Sequence, residues 1–499
     1  MIKYAIFLIS LGYFGLLSSH DYTWLFVSQD SGDWLAASID WFVPQPMGSP
    51  LFILLGHFLN LFPGSLIIKM TVLLSALPSA ITVTLTYLIA KRLTQNTPLS
   101  MCASLVLLGA TVFLTQSTIL EEYAIATMLL VLSYWYYIND KKKLCLLSMG
   151  LGTAIHIMVL GFALLWLFIE RRNWRTWLKH SWVFIISGPA FYLMIPIMML
   201  LKTPPYLAGY FGWDSLYNYI FGASGAVAFQ ISIYDFPKRI GFVLAFLLVS
   251  LGFAFIPAIL GISRGDNKIK IMLITIGWSI VYYLFCCDPS TWTFLTFGMP
   301  FMAVLAMIGL QKLNINYQKA VAIGAVALII CNAFLLNAGH LAKAEPVAAD
   351  VKEAMMAVPD GSAVVVIGGS FSLCTMYCRA EGKDIIPIVW RIDARDFPEL
   401  EDLNQQQLDL CTYLYEPRGI ESKLQEDIVV EMLNEGWDVY VATYDWMMDM
   451  AKDTGSPTWT AFQDAVELEG EGMVRRIVSI DESQLVIPDE TDNGLGTAE

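Results

Sequence analysis

Apolar windows recur through residues 1–338, most of them close to 20 residues long and bounded by charged or Pro/Gly-rich breaks. A helix needs about 20 mostly apolar residues to cross a bilayer. In hydrocarbon, only helices and closed barrels satisfy their own backbone groups. The windows lie near 3–18, 66–90, 98–116, 122–138, 144–156, 157–169, 181–201, 240–262, 271–287, 292–310 and 320–338. They predict a polytopic α-helical membrane protein of about 11 spans. The fifth and sixth windows are short and read as a tight pair or a re-entrant turn around Gly150, Gly152 and His156. No small-residue cleavage site follows Leu16, so residues 1–18 read as a retained first span rather than a signal peptide.

Charge divides the chain in two. Residues 1–338 carry 12 acids and 19 Lys/Arg, whereas residues 339–499 carry 32 acids and 11 Lys/Arg. The stated net charge of −14 therefore combines a mildly basic membrane body with a strongly acidic soluble part. Three segments are expected: a transmembrane domain over 1–338, an acidic α/β domain over 339–487, and a disordered tail over 488–499. Within the acidic domain, short β-branched runs at Ala363–Ile367, Ile385–Val389, Val439–Tyr444 and Val474–Ile480 predict strands. Helical patterns lie between them, near 346–357, 370–381 and 421–435. An acidic surface of this size argues against nucleic acid as a partner.

Lys and Arg set the orientation. Alternate connections hold Lys91–Arg92, Lys141–Lys143, Arg171–Lys179, Arg264–Lys270 and Lys312–Lys319, while the connections between them are nearly free of base. The basic side is expected to be cytoplasmic. Asp21, Asp30, Asp33, Asp40, Glu121, Glu122, Asp214, Asp235 and Asp288 then fall outside, and an odd span count puts the C-terminal domain outside as well. The expected location is the inner or plasma membrane. Eight cysteines offer no CxxC pair and no zinc spacing; in the outer domain Cys374, Cys378 and Cys411 leave room for one disulfide.

Candidate chemistry gathers on the outer side. The first connection reads Ser28-Gln29-Asp30-Ser31-Gly32-Asp33-Trp34 and then Pro44-Gln45-Pro46-Met47-Gly48-Ser49-Pro50. Amphipathic stretches at 34–43 and 51–62 suit helices lying in the interface plane. A carboxylate there can take a proton from an acceptor hydroxyl while a lipid-borne substrate arrives from the side. The plainer alternative is a helix start, with Asp30 as N-cap and Asp33 in the first turn. Glu121-Glu122-Tyr123 reads either as functional paired acids or as a solvated helix start with Tyr123 in the aromatic belt. His156 stands in an apolar run, where a hydrogen-bonded core histidine competes with a ligand role. Lys69, Lys202, Lys238 and Arg239 are rare outer cations, suited to a lipid phosphate or to snorkelling. Asp288-Pro289 reads as an ordinary turn, and Gly368-Gly369-Ser370 as a tight strand-to-helix turn. Neither HxxH nor HExxH occurs, so neither a metal site nor a cofactor is expected.

Taken together, these segments resemble a bacterial membrane family of unassigned domain function, whose eukaryotic relative is the transmembrane protein O-mannosyltransferase. Its members are lipid-donor glycosyltransferases of the GT-C type. The family pattern D-x-G-E/D, H-P-P-G-Y-P-L, then a basic residue before N-L-L-S-A-L, is similar to Asp30–Asp33, Gln45–Leu51 and Lys69–Leu77. Gln45 stands where the family has His, and Met47 and Ser49 replace Pro and Tyr. The family's E-V-Y and G-x-G-N-H look like Glu121–Tyr123 and Gly150–His156, and its late aromatic turn looks like Asp288–Phe294. The resemblance implies an inverting transfer of a sugar, a hexose such as mannose, from a polyprenyl-phosphate carrier to an extracytoplasmic hydroxyl on protein or glycan. It makes Asp30 the base with Asp33 second. Glu121 orients the acceptor or the donor sugar, and Lys69, Arg239, His156 and Gln45 are the donor or phosphate candidates. The competing classes are a polytopic transporter or lipid flippase with an outer partner-binding domain, and a non-enzymatic assembly protein. Neither broken paired helices nor internal symmetry is evident in the sequence to favour the transporter.

Overall fold

The computed structural model describes residues 1–18, 31–41, 49–195, 197, 236–262, 266–285, 289–339, 353–367, 378, 381–390, 425–442 and 457–485. They fall into two compact units, one holding the helices through Gly339 and one holding the residues from 353 onward.

The first unit is helical. Its elements are α1 (Ile2–Leu17), α2 (Ser31–Asp40), α3 (Pro50–Asn60), α4 (Leu66–Thr94), α5 (Thr97–Leu108), α6 (Thr111–Thr118), α7 (Tyr123–Ile138) and α8 (Lys142–Ile155). There follow α9 (Met158–Ile169), α10 (Trp174–Leu178), α11 (Ser181–Ser187), α12 (Phe236–Gly261), α13 (Asn267–Phe285), α14 (Met299–Leu310) and α15 (Ile315–Gly339). Among the described residues, α4, α12, α13 and residues 315–335 of α15 are each long and apolar enough to cross a membrane, and the bent pair α5–α6 makes a fifth. Six further apolar helices have 10–17 residues. The predicted windows thus correspond to helices of unequal length rather than to eleven full spans. The window at 292–310 begins as a 3-10 helix, Pro289–Phe297, and becomes α-helical only at Met299.

Two departures from continuous helix have identifiable causes. In α4, residues Thr71–Ala76 form a π-helical turn two residues before Pro78. Proline lacks the N–H that would bond back to Leu74, and its ring crowds that carbonyl. A widened turn relieves both problems, and such turns recur at functional sites. The window 98–116, expected as one span, is instead broken by 64° between α5 and α6. The break is a packed one. Asn332 of α15 donates through Nδ2 to the Gly109 carbonyl at 2.7 Å and to Thr111 Oγ1 at 3.1 Å, so backbone freed by the bend stays satisfied. The sequence reading of no broken helices is corrected here. The bent pair is nevertheless closed by this asparagine, which gives no support to a transport pathway.

The α8–α9 hairpin turns at His156, whose backbone is extended (φ −148, ψ 121). At the turn, His156 lies against the start of α7, and at the far end Glu170 accepts from Tyr137 Oη near the end of α7. The two short windows therefore run the length of α7 in opposite senses, as a tight pair rather than a re-entrant turn. Helices α12 and α14 meet through glycines: a Cβ on Gly309 would strike the Pro257 carbonyl, and one on Gly261 the Leu305 carbonyl. Close backbone approach through small residues is how helices associate in lipid, where no hydrophobic force separates them from the solvent.

The second unit is α/β. Strands β1 (Ser362–Ile367), β2 (Ile385–Trp390), β3 (Val439–Ala442), β4 (Val466–Glu469) and β5 (Val474–Ile480) form one sheet in the order β2-β1-β3-β5-β4. β1 pairs in parallel with β2 and β3, while β3–β5 and β4–β5 are antiparallel. Helices α16 (Gln425–Asn434) and α17 (Pro457–Ala465) accompany it. β4 was not anticipated, because Val-Glu-Leu-Glu is a short edge strand with half its residues charged. Gly470 and Gly472, both at positive φ, turn the chain from β4 into β5. Cys378 is buried and free, which removes it from the disulfide considered above; Cys374, Cys411 and the tail 488–499 lie outside the described residues.

Gly309→Val should lower the unfolding midpoint in detergent by the equivalent of about 1–3 kcal/mol, because a backbone carbonyl opposes the new atoms. Gly241→Ala, with nothing within 4 Å of a Cβ, is the control and should be neutral or slightly stabilising. Glu170 gives a second test. Burial alone would raise its carboxyl, but hydrogen bonds from Tyr137, Asn173 and Asn267 outweigh this and hold it below its ordinary 4.5. A depressed acid contributes stability in full above its unfolded value and loses it as pH falls through the folded one. Thermal midpoints of Glu170→Gln should therefore vary less than wild type between about pH 5 and 3; equal acid sensitivity would show that the bonds do not favour the ionised form.

Candidate functional site

Five segments converge at one end of α7. The α6–α7 turn supplies Glu121 and Glu122, only 4% and 5% exposed. α2 reaches this turn by its first residues: Ser31 Oγ donates to the Leu120 carbonyl at 2.9 Å, and Trp34 Nε1 donates to Glu121 Oε2 at 3.3 Å. Trp34 is itself wedged edge-on against Phe52 of α3, at 5.4 Å between ring centroids. The π turn of α4 contributes Ser75, whose hydroxyl points to the Glu121 carbonyl at 3.5 Å. An indole N–H and a fixed turn thus hold a carboxylate that burial would otherwise make costly.

The α8–α9 turn brings His156. Its Nδ1 accepts from the Met158 N–H at 3.2 Å, which places the proton of the neutral ring on Nε2. Nε2 lies 3.9 Å from Glu122 Oε1. The fifth segment, the 3-10 helix Pro289–Phe297, closes the group with aromatic rings. Tyr123 meets His156 at 5.1 Å, Phe294 at 5.6 Å and Phe297 at 6.1 Å, and Tyr282 of α13 packs on Phe294 at 4.5 Å. Two carboxylates, an imidazole N–H and an aromatic wall therefore share one membrane-helix end. Such a set can accept a proton, donate a hydrogen bond to an anion and stack on a sugar or an isoprenoid.

The positions singled out in the sequence sort plainly. Glu121 and His156 are brought to this end. Asp30 and Gln45 lie outside the described residues; Asp30 immediately precedes Ser31, and Asp33 lies in α2 just before Trp34. Lys69 sits near the start of α4, half-buried, with its ammonium donating to the Phe62 carbonyl at 2.5 Å. Arg239, near the start of α12, donates through Nη1 to the Tyr283 carbonyl at 3.3 Å.

Sequence reasoning passed over Gln116. It lies on α6 five residues before Glu121 and is 1% exposed, and among the described residues neither its amide nitrogen nor its oxygen has a hydrogen-bond partner. It stands one turn after Val112, whose carbonyl receives Thr296 of the 3-10 helix at 3.5 Å, so it shares the face turned toward that helix. The available signal was an uncharged amide inside an apolar window, which is costly unless used. Thr71 Oγ1, on the π turn, is likewise buried without a partner.

Comparison with solved structures defines the fold. ArnT from Cupriavidus metallidurans bound to undecaprenyl phosphate superposes with a TM-score of 0.64 at 12% identity, over 98% of this chain and 99% of that one. The apo form of that ArnT gives 0.62 at 11% identity, over 97% and 98%. The chain shares the fold of these ArnT structures. Residues 30–177 match the family model described as the protein O-mannosyl-transferase TMEM260 N-terminal domain, a segment that contains Asp30, Asp33, Gln45, Lys69, Glu121 and His156. Over residues 30–177 the chain is thus similar to the protein O-mannosyl-transferase TMEM260 N-terminal domain, and over nearly its whole length it shares the fold of ArnT. No curated protein matches it by sequence.

Gln116→Leu should raise the thermal midpoint, since a buried unpaired polar group costs about 1–3 kcal/mol and an apolar isostere does not, while lowering turnover. Loss of stability together with full activity would make the amide a packing group only.

Proposed function

We propose that this chain transfers a hexose such as mannose from a polyprenyl-phosphate carrier to an extracytoplasmic hydroxyl, on protein or glycan, with inversion at the anomeric carbon. The observation that carries the reading is the convergence of α2, the Glu121–Glu122 turn and His156 at one helix end, inside the segment that matches the O-mannosyl-transferase model. The undecaprenyl phosphate bound to ArnT suggests the carrier class.

In this reading Asp30 is the base. Ser31 is bonded to Leu120, so the residue before it is one peptide unit, about 3.8 Å between Cα atoms, from a residue that touches the Glu121 turn. Asp30 takes the proton from the acceptor hydroxyl as its oxygen bonds to the anomeric carbon. The bond from that carbon to the phosphate oxygen breaks, and the polyprenyl phosphate leaves with the electron pair. Asp33 supports this step. Glu121, fixed by Trp34, orients the acceptor or the sugar; the Met158 N–H fixes the His156 ring at Nδ1, and its Nε2–H, 3.9 Å from Glu122, is the donor for a phosphate oxygen. Lys69 and Arg239 add positive charge for the phosphate, and Gln45 stands where the family places a histidine against the donor. The basic connections face the cytoplasm, and the α/β unit lies outside. No metal enters the mechanism.

Transfer from labelled polyprenyl-phosphate hexose to envelope protein tests the assignment. Asp30→Asn keeps shape and capping ability but cannot take the proton, so turnover should fall by roughly 10²–10⁴ with donor binding retained. Asp33→Asn should cost less. Near-full turnover in Asp30→Asn with loss in Glu121→Gln would move the base to Glu121.

A further inference from the structure

The end of the helical unit remote from Glu122 carries a second site. Tyr123 and Tyr137, at opposite ends of α7, are separated by 14 residues, about 21 Å of helix. At the Tyr137 end, Glu170 gathers three donors: Tyr137 Oη at 2.7 Å, Asn173 Nδ2 at 3.1 Å and Asn267 Nδ2 at 2.9 Å. These bonds tie α7, α9 and α13 together and occupy the carboxylate.

Two spaces adjoin this knot. One is a polar cavity of about 300 Å³ whose lining includes Arg171, Arg172, Asn173, Asn267 and Lys270. The other is an almost wholly apolar cleft of about 150 Å³, lined among others by Met149, Ala163, Leu167, Trp177 and Ile271. Glu170 lines both, and the consecutive residues Lys270 and Ile271 line one each. Among the described residues, no salt bridge engages Arg171, Arg172 or Lys270; Arg171 lies over the Phe168 ring at 5.0 Å. The positive charge in the cavity is therefore not spent on Glu170, whose oxygens already hold neutral donors.

A cationic pocket continuous with an apolar cleft at a helix end matches one chemistry, an anion joined to a hydrocarbon chain. We propose that this is a binding site for an anionic phospholipid, with the phosphate among Arg171, Arg172 and Lys270 and an acyl chain against Trp177. The site is separate from the sugar-transfer centre and does not depend on that assignment.

Native mass spectrometry of the full chain in detergent, titrated with phosphatidylglycerol, tests this. Wild type should retain one phosphatidylglycerol and bind phosphatidylcholine far more weakly. Each basic residue near an anionic headgroup is worth about fivefold in affinity, so Arg171→Gln with Arg172→Gln should weaken retention roughly 25-fold. Ala163→Trp fills the cleft without changing charge and should weaken it as well, with circular dichroism confirming the fold of both variants. Equal binding of phosphatidylcholine, or unchanged retention in the double arginine variant, would overturn the proposal. So would preferential displacement by polyprenyl phosphate, which would make this a carrier site, or by millimolar inorganic phosphate alone, which would make it an anion site with no lipid component.

Discussion

Glu121 and Glu122 are adjacent carboxylates buried at the end of a membrane helix bundle, and burying such charges costs several kcal/mol each unless they are paired and hydrogen-bonded. The local architecture follows from meeting that cost. α2 is brought in so that Trp34 can donate to Glu121, and Ser31 anchors its start to the same turn. The α8–α9 hairpin turns at His156, which faces Glu122. The π turn before Pro78 offers Ser75 to the Glu121 carbonyl. Acids kept in such a place at such cost are more useful to chemistry than to folding, because a carboxylate in a water-poor site is a stronger hydrogen-bond acceptor and a better base than one in water.

The two ends of α7 thereby acquire opposite chemistry. One end holds buried acids under aromatic rings; the other holds a satisfied glutamate beside exposed cations. Short helices α7, α8 and α9 fix the distance between these ends, and the glycine contacts of α12 with α14 together with the Asn332 bridge keep the surrounding helices in register. Polar groups at membrane depth are satisfied at the break and left unsatisfied at Gln116.

Much of this was legible in the sequence. Apolar windows located the helices because length and composition suffice for a segment in lipid. Charge asymmetry separated the helical body from the α/β part, and β-branched runs located four of five strands. Glu121 and His156 stood out because ionisable residues in apolar surroundings are rare, and the fold brings both to one end of α7. What escaped depends on partners distant in sequence. The bend at Gly109 is stabilised by Asn332, more than two hundred residues away. The Trp34–Glu121 bond joins residues 87 apart, and a tryptophan in an interfacial segment gives no hint of it. β4 hid because an edge strand needs no long apolar pattern. The bond from the Lys69 ammonium to the Phe62 carbonyl, in the turn after α3, was likewise invisible until the fold was known.

The central claim is that this helix end breaks a glycosidic bond rather than moving a lipid. Single-turnover incubation of the purified chain in proteoliposomes, with polyprenyl phosphate carrying a radiolabelled hexose and an acceptor peptide pool, measures this directly. The account predicts label on the acceptor with inverted anomeric configuration and stoichiometric release of polyprenyl phosphate, both lost in Asp30→Asn with Glu121→Gln. Translocation of the lipid with its sugar still attached, at a rate equal in wild type and variant, would contradict it.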